Sequence, residues 1–112
     1  MGLDEYLLPG EEIRFQSPTE VEYGGEKYTL YLTNKRLILY KQKGLGPITL
    51  GPFKRDLIVT EKIKDIEALR YKEEGIIAKK GIIEINTKTR KFFISGKASQ
   101  MKALYQALQE YF

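Results

Sequence analysis

The stretch Tyr28 to Lys41, YTLYLTNKRLILYK, constrains this chain more than any other. Two runs rich in β-forming residues meet at Thr33-Asn34-Lys35-Arg36, the pattern of a β-hairpin. With Asn34-Lys35 as a two-residue turn, Leu32 faces Leu37 and Leu30 faces Leu39. Four leucines then share one side of the hairpin, and Tyr31/Ile38 with Thr29/Tyr40 share the other. Asn34 tolerates the left-handed backbone that such a turn favours, whereas Lys35 suits it less well than glycine.

The segments before the hairpin read as its approach. Leu3, Tyr6, Leu7 and Leu8 have helical spacing ended by Pro9-Gly10, which predicts a short N-terminal segment over 1–10 that depends on packing. Ile13 and Phe15 alternate within a strand over 11–17 that Pro18 stops. Val21-Glu22-Tyr23 leads into a turn at Gly24-Gly25, across which the first strand pairs with the hairpin.

Beyond the hairpin, Lys43 to Phe53 holds three glycines and two prolines and reads as a loop, unusually apolar through Leu45, Ile48, Leu50 and Phe53. Strand character returns over 54–60. Ile63 to Glu73 fits either a helix, through Ile63, Ile66 and Leu69, or a strand read in twos. A second hairpin spans 81–87 and 90–95, with Thr87-Lys88 at its turn, Glu84 opposite Lys91, Ile83 opposite Phe92 and Ile82 opposite Phe93. The period then becomes helical. Met101, Leu104, Tyr105, Leu108 and Phe112 form an apolar stripe on a capping helix over 97–112, with Ser95 or Ser99 at its start.

Composition bounds the function. The 112 residues suffice for one domain, 1–112, with a single ordinary core. No apolar run approaches the roughly 20 residues of a membrane span, and the acidic N-terminus lacks the basic and apolar regions of a signal peptide. A cytoplasmic protein, peripheral to a membrane at most, is the expectation. With no cysteine and no histidine, disulfides, thiol catalysis, imidazole bases and the usual zinc sites are excluded. The carboxylate pairs Asp4/Glu5 and Glu73/Glu74 sit beside turns and termini, where nothing raises one pKa as a general acid requires. Gly44-Leu45-Gly46 followed by Gly51 matches neither phosphate-binding loop. The expectation is a protein that is not an enzyme and needs no metal or cofactor.

The net charge of +4 conceals an asymmetry: residues 1–26 hold seven acids and the single base Arg14, leaving 18 bases against 8 acids in the remainder. A basic body suits an anionic partner, although lysines also decorate solvent faces of strands and deter edge pairing.

Seven strands near 11–17, 27–33, 36–42, 54–60, 63–72, 81–87 and 90–95, then one helix, predict a mainly β fold. Its form is a bent antiparallel sandwich or open barrel with a helical cap. Leu7-Leu8-Pro9-Gly10-Glu11-Glu12, followed by Leu32-Thr33-Asn34-Lys35-Arg36-Leu37, resembles the prokaryotic, GRAM-like branch of the pleckstrin-homology superfamily. Gly81-Ile82-Ile83-Glu84-Ile85 and Phe92-Phe93-Ile94 are similar to its sixth and seventh strands. The resemblance implies seven strands with a C-terminal helix and favours strand for Ile63 to Glu73.

It also bears on partners. Some members bind phosphoinositides through bases around the first hairpin loop. Here Thr19 to Glu26 carries three acids and no base, so no phosphoinositide specificity is expected. The resemblance implies interaction or assembly instead. Arg90-Lys91-Phe92-Phe93-Ile94 interleaves bases with aromatics as a nucleotide-stacking strand does, but alternation forbids exposing both phenylalanines, and nucleic acid is the least favoured partner.

Two contact surfaces follow. The hairpin's outer face presents Tyr31, Ile38 and Tyr40, unless Leu3, Tyr6, Leu7 and Leu8 fold back over it. The apolar loop offers Leu45 and Ile48 between the bases Lys43, Lys54 and Arg55, with Leu50 and Phe53 directed to the core. The reading is a non-enzymatic module for protein–protein interaction or self-association, a homo-oligomer included. Weak binding to anionic membrane surfaces is the alternative.

Overall fold

The computed structural model describes residues 3–41 and 57–112. Among them, eight antiparallel strands and one C-terminal helix make a mainly β fold: β1 (Ile13–Gln16), β2 (Val21–Tyr23), β3 (Glu26–Thr33), β4 (Arg36–Lys41), β5 (Leu57–Lys62), β6 (Ile66–Glu74), β7 (Lys80–Thr87), β8 (Lys91–Lys97) and α1 (Ala98–Gln109).

The central hairpin has the register its sequence dictates: Leu32 pairs with Leu37, Leu30 with Leu39, Tyr31 with Ile38 and Thr29 with Tyr40. All four leucines are buried in the main core. The turn chemistry differs from expectation. No described residue other than glycine has a positive φ, so Asn34 does not adopt the left-handed conformation. The Thr33 hydroxyl closes the turn instead, accepting the backbone N–H of Lys35 at 3.0 Å and of Arg36 at 2.8 Å.

β3 is long enough to serve two strands along its other edge. β1 pairs near its end, with Gln16 opposite Tyr31, and β2 near its start, with Val21 opposite Tyr28. Ser17 bridges the break between them. Its N–H donates to the Leu30 carbonyl at 2.8 Å, and its hydroxyl accepts the Leu30 N–H at 3.0 Å. The residues Val21–Tyr23, expected as an approach to a turn, are therefore a strand, and Glu22 pairs on to Ser95 of β8. That single junction continues the sheet from its first half to its second, in the order β5-β4-β3-β2-β8-β7-β6.

β5 and β6 lie at opposite ends of this order yet are joined by one 3-10 turn, Ile63–Asp65, so the sheet is rolled upon itself. The ambiguous segment thus resolves into a helical turn followed by strand. Its strand part is fixed by pairing with β7 from Ile66–Thr87 to Glu74–Lys80.

The second hairpin turns one residue later than expected. Ile83 pairs with Ile94, Glu84 with Phe93 and Ile85 with Phe92, because Lys88-Thr89 forms the turn, not Thr87-Lys88. The Thr87 hydroxyl accepts the N–H groups of Thr89 and Arg90, as Thr33 does in the first hairpin. Moving the turn by one residue shifts the pairing by two, so each side chain keeps its face. Phe92 is buried and Phe93 is 44% exposed.

On α1 the buried side chains are Met101, Leu104 and Leu108. The Tyr105 hydroxyl donates to the Leu69 carbonyl at 3.2 Å. The helix ends at Gln109, which leaves Phe112 exposed, and its N-cap is Lys97 with no side-chain cap, not a serine. Gly81 lets the helix approach: a Cβ there would lie 2.7 Å from the Met101 Cβ and 3.0 Å from the Ala98 Cα.

Candidate functional site

Pro9-Gly10-Glu11-Glu12 and Thr33-Asn34-Lys35-Arg36, distant in sequence, form one hydrogen-bonded lock. Gly10 has φ of 76°, a backbone that favours glycine, and the chain there turns Glu11 inward. The Glu11 carboxylate, with its side chain wholly buried, accepts Arg36 Nη2 at 2.7 Å on Oε1 and Arg36 Nε at 2.9 Å on Oε2. The Leu8 N–H at 2.8 Å and the Thr33 hydroxyl at 2.6 Å complete its shell. Arg36 holds this carboxyl at about 2, far below the ordinary 4.5; burial opposes the shift, and the Leu8 and Thr33 donors reinforce it. Asn34 adds a second clasp, donating to the Gly10 carbonyl and accepting the Glu12 N–H, while Lys35 Nζ donates to the Pro9 carbonyl at 2.8 Å.

This lock builds a groove beside it. The Ile63 N–H donates to the Lys35 carbonyl at 3.0 Å and ties the 3-10 turn to the hairpin. Between these segments lies a cleft of about 460 Å³ lined by Leu8, Asn34, Lys35, Arg36, Lys62, Ile63 and Lys64. Leu8 and Ile63 supply apolar wall, and the cations Lys35, Arg36, Lys62 and Lys64 line the cleft too. Arg36 is committed to Glu11, and Lys35 to a carbonyl. Lys62 and Lys64 are exposed and make no ion pair with the described residues. Such a site suits an anionic group attached to an apolar one.

The hairpin's outer face is not the open surface that Tyr31, Ile38 and Tyr40 suggested. Ile38 and Tyr40 are buried in a second, smaller core with Leu3, against which Tyr6, Leu7, Tyr31 and Ile58 pack. The Tyr6 and Tyr40 rings lie 5.8 Å apart. The 3-10 turn Leu3–Tyr6 covers this face because a large apolar patch gains more from burial than from solvent. Leu8, expected in that cover, is instead 46% exposed and lines the groove. Lys43, Leu45, Ile48, Lys54 and Arg55, with Leu50 and Phe53, lie outside the described residues.

The acidic loop expected to repel phosphate is the β2–β3 turn region. Beside it, Thr19, Glu20, Glu22, Lys27, Ser95 and Lys97 help to line a second cleft of about 330 Å³, where acids and bases are mixed. Asp4, Glu5, Glu73 and Glu74 are exposed; Glu73 accepts the Tyr71 hydroxyl at 2.9 Å. Among the described residues no group of three acids could hold a metal ion. No described helix is long and apolar enough to cross a membrane.

The groove was missed because its parts come from three separated stretches. The alternation Lys62-Ile63-Lys64 is a local signal, but it falls at the start of the segment read as strand, where the structure has a 3-10 turn. Compared with known proteins, the chain matches no family model, no curated protein and no solved structure.

Proposed function

We propose that this chain is a non-enzymatic, PH-like binding module whose groove takes an acidic, apolar-anchored segment of a protein partner. One observation carries the reading: Leu8 and Ile63 line one cleft together with Lys35, Arg36, Lys62 and Lys64. Of these four cations only Arg36 has a carboxylate partner among the described residues, so an acidic segment gains charge pairing with Lys35, Lys62 and Lys64, while an apolar side chain fills the cleft. The resemblance to the GRAM-like branch supports interaction or assembly, and the lock gives its short motifs a structural role: they set the groove's shape. The exposed acids Asp4, Glu5, Glu12, Glu20 and Glu22 offer carboxylates on a second copy, so self-association is the form of this function that needs no other protein.

The test is titration of the labelled chain with a peptide alternating Glu and Leu, and with its Lys/Leu counterpart. Light scattering after size exclusion is run in parallel. Amide shifts at Leu8, Lys35 and Ile63 with the acidic peptide alone, abolished in Lys62→Glu with Lys64→Glu, support the reading. So does a concentration-dependent oligomer lost in that variant. A monomer whose groove amides move with neither peptide would refute it.

A further inference from the structure

The connection between β6 and β7 carries two isoleucines that the fold does not use. Ile76 is 95% exposed and Ile77 is 98% exposed, so neither side chain packs on either core. Pairing runs up to Glu74–Lys80 and on to Lys97, and the Ala98 N–H donates to the Lys79 carbonyl at 3.2 Å. The base of the turn is thus tied to the fold while its two isoleucines stay exposed. Gly75, at φ of 99°, makes the tight bend, since a Cβ there would lie 2.6 Å from the Ala78 carbonyl oxygen. The isoleucines therefore stand exposed on a braced turn.

Behind the tip the sheet face is basic. The cross-strand rows Glu74–Lys80–Lys97, Lys72–Ile82–Ser95 and Arg70–Glu84–Phe93 place alternate residues on one side of β6, β7 and β8. Lys72, Lys80, Lys97 and Arg70 thus share a face with Glu74 and Glu84. The half-exposed Phe93 lies there too, with Lys72 Nζ 5.7 Å from its ring centre. Lys79, beside the tip, is well exposed and reaches Glu73 only at 3.9 Å. The Glu84 carboxyl is held below its ordinary range, first by the hydrogen bond from Asn86, against partial burial, then by the charges of Lys91, Arg70 and Lys72.

We infer that the β6–β7 tip is a membrane-interface anchor: Ile76 and Ile77 enter the headgroup boundary of an anionic bilayer while the adjoining lysines engage its phosphates. Three considerations select this occupant. Two aliphatic side chains at one turn give far less area than the roughly 1,000 Å² a stable protein interface needs, but they match the roughly 5–10 Å depth of an interfacial insertion. The aliphatic tip itself offers nucleic acid nothing to stack upon, and the Phe93 ring behind it has Lys72 Nζ over its face. The positive face behind the tip complements an anionic lipid surface. The anchor shares no residue with the groove, so each stands or falls separately.

The experiment is vesicle flotation of the full chain with phosphatidylcholine alone and with about one-third phosphatidylglycerol, a charge density that attracts basic surfaces. The expected result is binding to the anionic vesicles that weakens with salt and falls at least tenfold in Ile76→Ser with Ile77→Ser, at unchanged melting temperature. Because the chain contains no tryptophan, Ile77→Trp gives a clean probe. Its emission should move to the blue with anionic vesicles and stay unchanged with neutral ones. Serine variants that still float, or a tryptophan that stays in water, would overturn the inference. So would oligonucleotide binding indifferent to the isoleucines with no flotation, or a dimer that the serines abolish in the absence of lipid.

Discussion

Glu11 and Arg36, 25 residues apart in sequence, meet through two hydrogen bonds of 2.7 and 2.9 Å that fasten the N-terminal segment to the central hairpin. Removing one partner strands the other in a site built for the pair. Arg36→Ala should therefore cost about 3–5 kcal/mol in chemical denaturation. A loss below about 1 kcal/mol, the range of an exposed ion pair, would mean that the lock does not hold the fold.

The same pair sets an acid limit. The Glu11 carboxyl titrates at about 2 in the fold against an ordinary 4.5, so its contribution is complete above the higher value and is lost as pH falls toward the lower. The shift corresponds to about 3 kcal/mol. Denaturation curves between these pH values should steepen the loss for the native chain, and Glu11→Gln should lack that component. Parallel acid limbs for the two proteins would contradict the assignment.

Thr33 and Thr87 close their turns alike, but only Thr33 also donates to a buried carboxylate, at 2.6 Å. Thr33→Val leaves two backbone donors and a carboxylate oxygen short of a partner and should cost about 1–3 kcal/mol, more than Thr87→Val. Equal costs would show that the Glu11 contact adds nothing.

The helix is docked through one face. Leu104→Ala and Leu108→Ala, both at buried positions, should each cost about 2–5 kcal/mol, and the exposed Gln106→Ala should be nearly silent. Gly81→Ala should destabilise by about 1–3 kcal/mol, since its methyl would crowd Met101 and Ala98. If Gly81→Ala were stabilising, the helix would not approach β7 as closely as described.

Phosphorylated inositides should bind no better than other anionic lipids of equal charge at the Thr19–Glu26 turn region, because Glu20, Glu22 and Glu26 put three carboxylates there. Amide spectra of residues 19–26 check this: a headgroup-specific shift there would refute it, while charge-dependent shifts at 75–80 alone fit the anchor.

The sequence by itself determined the hairpins, the faces of their side chains and the capping stripe, because alternation and 3.6-residue spacing are local properties of the backbone. The four core leucines fell into register from a turn two residues long, and a second turn misplaced by one residue still kept Phe92 and Phe93 on opposite faces, since parity survives a shift of two. Tertiary structure alone decided what depends on distant segments. Whether Ile38 and Tyr40 stay open rested on where Leu3, Tyr6 and Leu7 pack. Whether Glu11 was solvated surface or the buried end of an ion pair rested on Arg36 arriving beside it. The groove exists only where Leu8, Lys35 and Ile63 converge, and no periodicity within any of those segments encodes their meeting.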